Sequence, residues 1–151
     1  MEIVENKKEL LQDFIRLNEE WISTHFELEE VDFALAENPY SVIDNGGFIF
    51  SLLIHGSVVG VCALFNTGNG IYELARMAVS PQFQGQGFGN TLIEICFKKL
   101  KEIGARKVCL VSNTKLTSAI ALYEKHNFKT MFEGVHPVYS RANIGMECTF
   151  S

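Results

Sequence analysis

Apolar and polar positions change period several times along the chain, and each change marks an element. Glu2 to Glu5 reads as a short first strand. Leu10, Leu11, Phe14, Leu17, Trp21 and Ile22 then fall at helical spacing. A second helix is predicted from about Leu28 to Glu37, stopped by Asn38-Pro39. After the turn Asn45-Gly46-Gly47, the runs Phe48–Ile54 and Val58–Phe65 read as strands joined through His55-Gly56-Ser57 as a hairpin. Asn66 to Gly70 turns the chain into a third strand, Ile71–Val79, ended by Ser80-Pro81. Leu92, Ile93, Cys96, Phe97, Leu100 and Ile103 outline an amphipathic helix with Gly104 at its C-terminal cap position. Val108–Val111 is a buried strand. Leu116, Ala119, Ile120 and Tyr123 share one helical face, and Phe128–Phe132 and Asn143–Phe150 supply two last strands. This order predicts an α/β fold with a mixed sheet, and 151 residues suit one domain spanning 1–151.

Composition narrows the function. Apolar residues make up 47% of the chain, enough for a packed core. No apolar run approaches the roughly 18 residues that span a bilayer, and Met1-Glu2-Ile3-Val4-Glu5 has neither the basic start nor the apolar centre of a signal peptide. A cytoplasmic protein without membrane partners is expected. Cys62, Cys96, Cys109 and Cys148 form no C-x-x-C pair and read as buried thiols in a reducing compartment, with a nucleophilic cysteine as the alternative. His25, His55, His126 and His136 are scattered, and no metal site is expected. Net charge is −5, but residues 1–37 carry eleven acids and three bases. Such a chain is a poor nucleic-acid binder. The asymmetry fits an anionic ligand in one half and a cationic one in the other, or a solvated acidic helix pair.

The segment from Val79 to Asn90 carries the chemistry. A strand ends, Pro81 turns the chain, and glycines at 85, 87 and 89 precede a helix. Glycine permits positive φ and close approach of the backbone to a ligand. Exposed amides at a helix N-terminus, aided by the helix dipole, bind phosphate. The bland alternative is a glycine-rich turn without a ligand. A dinucleotide fingerprint fails because its last glycine would fall at Asn90, and no G-K-[ST] follows for a P-loop.

The pattern Q/R-x-x-G-x-G/A, filled by Gln84, Gly87 and Gly89, resembles the pyrophosphate loop of the GNAT superfamily of acetyl-CoA-dependent N-acetyltransferases. Glu73-Leu74-Ala75-Arg76-Met77-Ala78-Val79-Ser80-Pro81 is similar to that family's preceding strand. Ala119-Ile120-Ala121-Leu122-Tyr123-Glu124-Lys125-His126-Asn127-Phe128 is similar to its later helix and strand. The specific match covers residues 71–131; the N-terminal half agrees only in element order. Asn127 stands where glycine is usual, and asparagine tolerates left-handed φ better than most residues. Ser112-Asn113-x-x-Leu116 and Tyr139-x-Arg141-Ala142-Asn143-Ile144-x-Met146-Glu147 resemble a bacterial subgroup whose members mostly lack an assigned acceptor.

The resemblance implies a central, largely antiparallel mixed sheet of about six to seven strands with one splayed parallel pair, flanked by about four helices. It implies acetyl-CoA as cosubstrate and no metal. Gln84, Gly85, Gln86, Gly87, Phe88, Gly89 and Asn90 would hold the pyrophosphate. Backbone groups of Met77, Ala78 and Val79 would meet pantetheine in the gap between the parted strands, near Asn113, Ala119 and Tyr123. Transfer to an amine needs a free base form, and a lysine-like amine has a pKa of about 10.4. Glu73 is the candidate base, or else a strand-end carboxylate facing solvent or Arg76. Tyr123 is the candidate partner of the leaving thiolate, or else a core aromatic. Asn113 either bonds pantetheine or acceptor, or fixes a turn. Tyr139 and Arg141 either reach the acceptor, where Arg141 would bind a carboxylate, or lie on a surface loop. Glu19, Glu20, Glu27, Glu29, Glu30 and Asp32 make the expected acceptor wall acidic, pointing to a small cationic amine or an N-terminal amine. A non-catalytic acyl-CoA sensor and an ATP-binding domain are the competing readings, and an exposed C-terminal strand edge leaves a homodimer open.

Overall fold

The computed structural model describes residues 1–134 and 140–150. Strand β1 (Glu2–Glu5) leads through a 3₁₀ turn into α1 (Leu11–His25), α2 (Glu30–Glu37) and a one-turn α3 (Ser41–Asp44). Strands β2 (Phe48–Ile54), β3 (Ser57–Gly68) and β4 (Ile71–Val79) follow, then α4 (Phe88–Glu102), β5 (Lys107–Ser112), α5 (Thr117–Lys125), β6 (Lys129–Glu133) and β7 (Ile144–Thr149). The strands form one seven-stranded sheet in the order β1-β2-β3-β4-β5-β7-β6. Every neighbouring pair is antiparallel except β4 and β5, which run parallel with α4 between them in sequence.

The hydrophobic pattern explains this layering. On one face, Leu92, Ile93, Cys96 and Leu100 of α4 are sealed against Cys62, Leu64, Leu74, Val108 and Leu110 of the sheet. On the other, Phe14, Leu17 and Ile15 of α1 pack on Ile49, Val61, Ala63 and Ala78. The α4 stripe ends as its sequence signals: Gly104 has φ +71, and the amides of Gly104 and Ala105 bond the carbonyls of Lys101 and Leu100, the Schellman arrangement. His55 and Gly56 take φ +50 and +80, so β2 and β3 meet in a two-residue hairpin turn. Asn127 takes φ +70, the left-handed geometry expected at that glycine-like position.

Three elements differ from the sequence reading. Helix α2 starts at Glu30 because the Glu29 amide donates to Asp32 and the Asp32 amide to Glu29, a reciprocal cap. Strand β3 continues past Phe65 to Gly68, and α3 adds a fifth helix among the described residues. No described helix is long and apolar enough to cross a membrane.

Candidate active site

The sheet opens at its one parallel pair. Strand β4 pairs with β5 only through Ile71, Tyr72 and Glu73, opposite Lys107, Val108 and Cys109. Beyond that point β4 keeps its other partner as far as Val79 opposite Gly60, and β5 stays paired with β7 as far as Ser112 opposite Ile144. The two strands therefore part and leave an edge of β4 uncovered.

A bulge sets what that edge presents. Arg76 takes φ +60, and the β3–β4 register slips between Val61 and Ala63. A non-glycine residue there costs about 1–2 kcal/mol and persists only where its surroundings hold it. The slip turns Leu74 toward the α4 core and Ala78 toward the α1 core. The Ser80 amide donates to Val59 on β3, so strand alternation turns the backbone groups of Met77 and Val79 into the gap. One of these, the Val79 carbonyl, accepts from the Gln84 side chain at 3.2 Å, which folds the following loop back onto the strand.

That loop ends at the N-terminus of α4. Pro81–Phe83 form a 3₁₀ turn, Gly85 has φ +77, and Gly87, with φ +83, is the N-cap. No side chain caps the helix, and its first turn holds no acid. The Thr91 amide makes the first helical bond, to Gly87, so the amides of Phe88, Gly89 and Asn90 have no acceptor within the helix. A Cβ on Gly85 or Gly87 would meet nothing within 4 Å. Left-handed backbone, not packing, is what requires glycine there, and the approach to the amides is open. Gly89 differs: a Cβ there would touch the Leu122 side chain at 3.4 Å, an ordinary packing contact. The Gln86 side chain reaches only the Gln82 carbonyl, at 3.5 Å, and Phe88 packs near Phe83. Asn90 offers only its backbone to the loop, because its side chain bonds Glu94 (2.7 Å) and the ring of His126 (2.7 Å).

A cavity of about 290 Å³ occupies the gap. Met77, Val79, Gln84, Ala119 and Tyr123 line it together with Glu73 and Asn113. Tyr123 lies one turn beyond Ala119 on α5, its ring set edge-on to Phe128 at 5.8 Å. Burial pushes its phenol well above the usual value, so it keeps its proton. Glu73 sits half-buried where the strands part. Burial raises its pKa above 4.5, and the Arg76 charge pulls it back in part. Cys109 pairs with Glu73 across the strands; burial, then the Glu73 charge, raises its pKa and keeps it a thiol. Cys62 and Cys96 lie fully buried, 3.8 Å apart. The burial of Cys96 and Cys109 opposes the thiolate that a nucleophilic cysteine needs.

The acidic wall is not where its sequence suggested. Asp32 is buried and takes both guanidinium nitrogens of Arg141, at 2.7 and 2.8 Å, as well as Nη1 of Arg76. Burial alone would raise its pKa, but Arg141, the Glu29 amide and Arg76 hold it at about 2. Glu29 accepts from Arg141 at 2.9 Å and from Ser140. Arg141 thus binds carboxylates of its own chain, and the charges of Glu29 and Asp32 are answered internally. Glu19, Glu20, Glu27 and Glu30 do not line the cavity. The Asn113 amide donates to the Arg141 carbonyl at 2.8 Å, and its oxygen accepts from the Lys115 amide at 3.0 Å, the bonds of a turn residue. Tyr139 lies outside the described residues. Sequence reasoning missed the α1 wall of the cavity, Asn18, Trp21, Ile22 and Phe26. Helical spacing places Trp21 on the apolar stripe of α1, but its place on the cavity wall depends on where β4 and β5 part.

The model of the family described as "Acetyltransferase (GNAT) family" matches residues 9–128. The chain belongs to the acetyltransferase (GNAT) family. Among curated proteins it is 30% identical over 100 residues to N-acetyltransferase family 8 member 2 of Rattus norvegicus, a match covering 63% of this chain and 44% of the relative, so it spans less than half of that protein's length. Its fold is similar to a GNAT-family acetyltransferase from Staphylococcus aureus (TM-score 0.86, 18% identity, 98% of both chains). It is also similar to the PaiA N-acetyltransferase of Thermoplasma acidophilum solved with coenzyme A (TM-score 0.75, 20% identity, 99% of this chain and 100% of that one). A spermidine N-acetyltransferase SpeG chimera from Vibrio cholerae and hSSAT gives a TM-score of 0.76 at 21% identity, over 99% of this chain and 96% of that one.

Proposed function

We propose that the chain transfers an acetyl group from acetyl-CoA to a small primary amine, by direct attack of the amine within a ternary complex. The observation that carries this is the conjunction at the gap: an uncapped helix N-terminus with left-handed glycines, beside a strand edge left open where β4 and β5 part. A diphosphate suits the first and an extended amide-bearing arm suits the second.

Acetyl-CoA supplies the activated acyl group, and the chain supplies the setting. Amides at the mouth of α4 hold the diphosphate. The Met77 amide, turned into the gap, polarises the thioester carbonyl as charge develops on its oxygen. Glu73, made more basic by its burial, takes the proton of the incoming ammonium directly or through water. As the amide forms and the C–S bond breaks, the nitrogen's second proton passes through water to the departing thiolate, to which Tyr123 donates a hydrogen bond. Its raised pKa puts full proton transfer to a thiolate, of ordinary pKa about 8.5, uphill. Holding both reactants together contributes a large share of the rate.

The test is thiol release from acetyl-CoA with a panel of primary amines, read with a thiol reagent. CoA binding without release toward any amine would favour a sensor instead. Within an active enzyme, Tyr123→Phe is expected to lower kcat about 10–10²-fold, the worth of one hydrogen bond to a charged group, with CoA affinity nearly intact. Unchanged turnover would remove Tyr123 from the chemistry.

A further inference from the structure

Resting on that transfer, we infer that the acceptor is a monoamine carried on a compact apolar or aromatic body, and that Trp21 is the residue that selects it. The amine's partner is Glu73, the sole carboxylate among the described residues that line the cavity. Beyond it, α1 offers Trp21, Ile22 and Phe26. The one polar neighbour, Asn18, donates its amide to the Phe14 carbonyl at 2.9 Å within its own helix. Trp21, Ile22 and Phe26 thus make this part of the wall mainly apolar, with Asn18 as its polar member.

Charge disfavours acceptors that carry a second charged group. Arg76 and Arg141 also face the cavity, but they are joined to Asp32 and Glu29 behind it. An acceptor carboxylate would have to compete with a buried aspartate that already meets Arg141 through two parallel bonds. A second ammonium finds no further carboxylate among the described lining residues, and the carboxylates nearest the two guanidinium groups are already paired with them. At the outer rim, Lys115 places its Nζ 4.0 Å above the Phe26 ring and donates to the His25 carbonyl at 3.1 Å. A cation already covers that aromatic face. The same contacts tie the end of α1 to the loop after β5, and the His25 ring lies 4.8 Å from Trp21, which fixes the wall.

Size points the same way. About 290 Å³ is near the lower end of ligand pockets, and the thioester arm would share it. A short aralkyl or alkyl amine fits that space with its body against Trp21 and its nitrogen at Glu73.

The experiment compares kcat/KM for 2-phenylethylamine and n-hexylamine with spermidine and glucosamine, using the full chain, acetyl-CoA and a thiol reagent. The apolar amines are expected to lead by about tenfold or more, the effect of removing one aromatic-sized contact from water. Trp21→Ala should lower kcat/KM for 2-phenylethylamine about 10–10²-fold through KM, with CoA affinity and kcat held, and Trp21→Phe should restore most of it. A lead for spermidine or glucosamine overturns this inference and leaves the transfer standing, and the wild-type panel decides this even if Trp21→Ala fails to fold. Absence of release with every amine overturns both.

Discussion

Glu73→Gln is expected to lower kcat/KM at neutral pH by about 10²–10⁴-fold, the usual contribution of a positioned base. The glutamine keeps the shape of the side chain and loses the ability to take a proton. The pH profile separates this from a packing effect. Transfer needs the ionised carboxylate, so wild-type kcat/KM falls as pH drops through the Glu73 pKa. Burial places that acid limb above the ordinary 4.5. The variant should lack this limb, and its deficit should shrink as pH rises toward the amine's own value of about 10.4, where free amine no longer needs a base. Stability runs the opposite way. A carboxyl whose folded pKa is raised stabilises the fold at low pH and loses that contribution as pH rises through the folded value. Removing its charge should therefore leave Tm at neutral pH unchanged or higher. Undiminished turnover at pH 7 would show that Glu73 is not the base.

Asp32→Asn is expected to cost about 3–5 kcal/mol, because it removes one member of a buried ion cluster and leaves guanidinium charge poorly answered. For a chain of this length that lowers Tm by about 6–20 °C. Asp32 joins α2 to Arg76 at the β4 bulge and to Arg141 before β7. The loss thus reaches the strand edge that turns Met77 into the gap. The sign with pH follows from its depressed pKa, about 2 against 3.8. The contribution is complete above the unfolded value and disappears as pH falls through the folded one. Wild type and variant should converge in stability between about pH 4 and pH 2 and stay apart at neutral pH, as read by thermal melts across that range. A Tm at pH 7 within about 2 °C of wild type would contradict the role given to the cluster.

The parts of the fold set by neighbouring residues were legible. The α4 stripe, its Gly104 cap, the His55-Gly56 turn and the Gly85–Gly87 loop all rest on local backbone chemistry, and each lies where its sequence signal put it. The short α3 was not legible, since four residues carry no helical period. Neither was the bulge at Arg76, whose left-handed backbone is unusual for arginine and is held by a partner 44 residues away in sequence. The acidic balance of residues 1–37 was silent on pairing for the same reason. Composition counts Glu29 and Asp32 but cannot show that Arg141, more than 100 residues on, answers them. What the sequence could place were the glycine loop and the mouth of α4, whose spacing is short. What it could not place was the α1 side of the cavity, which distant segments assemble.

A crystal structure of the chain with coenzyme A tests the central claim most directly. The diphosphate is expected within about 3.2 Å of main-chain amides between Gly85 and Asn90, with the pantetheine arm lying between β4 and β5 against Met77 and Val79. Coenzyme A bound elsewhere, or an empty α4 mouth at saturating coenzyme A, would contradict it.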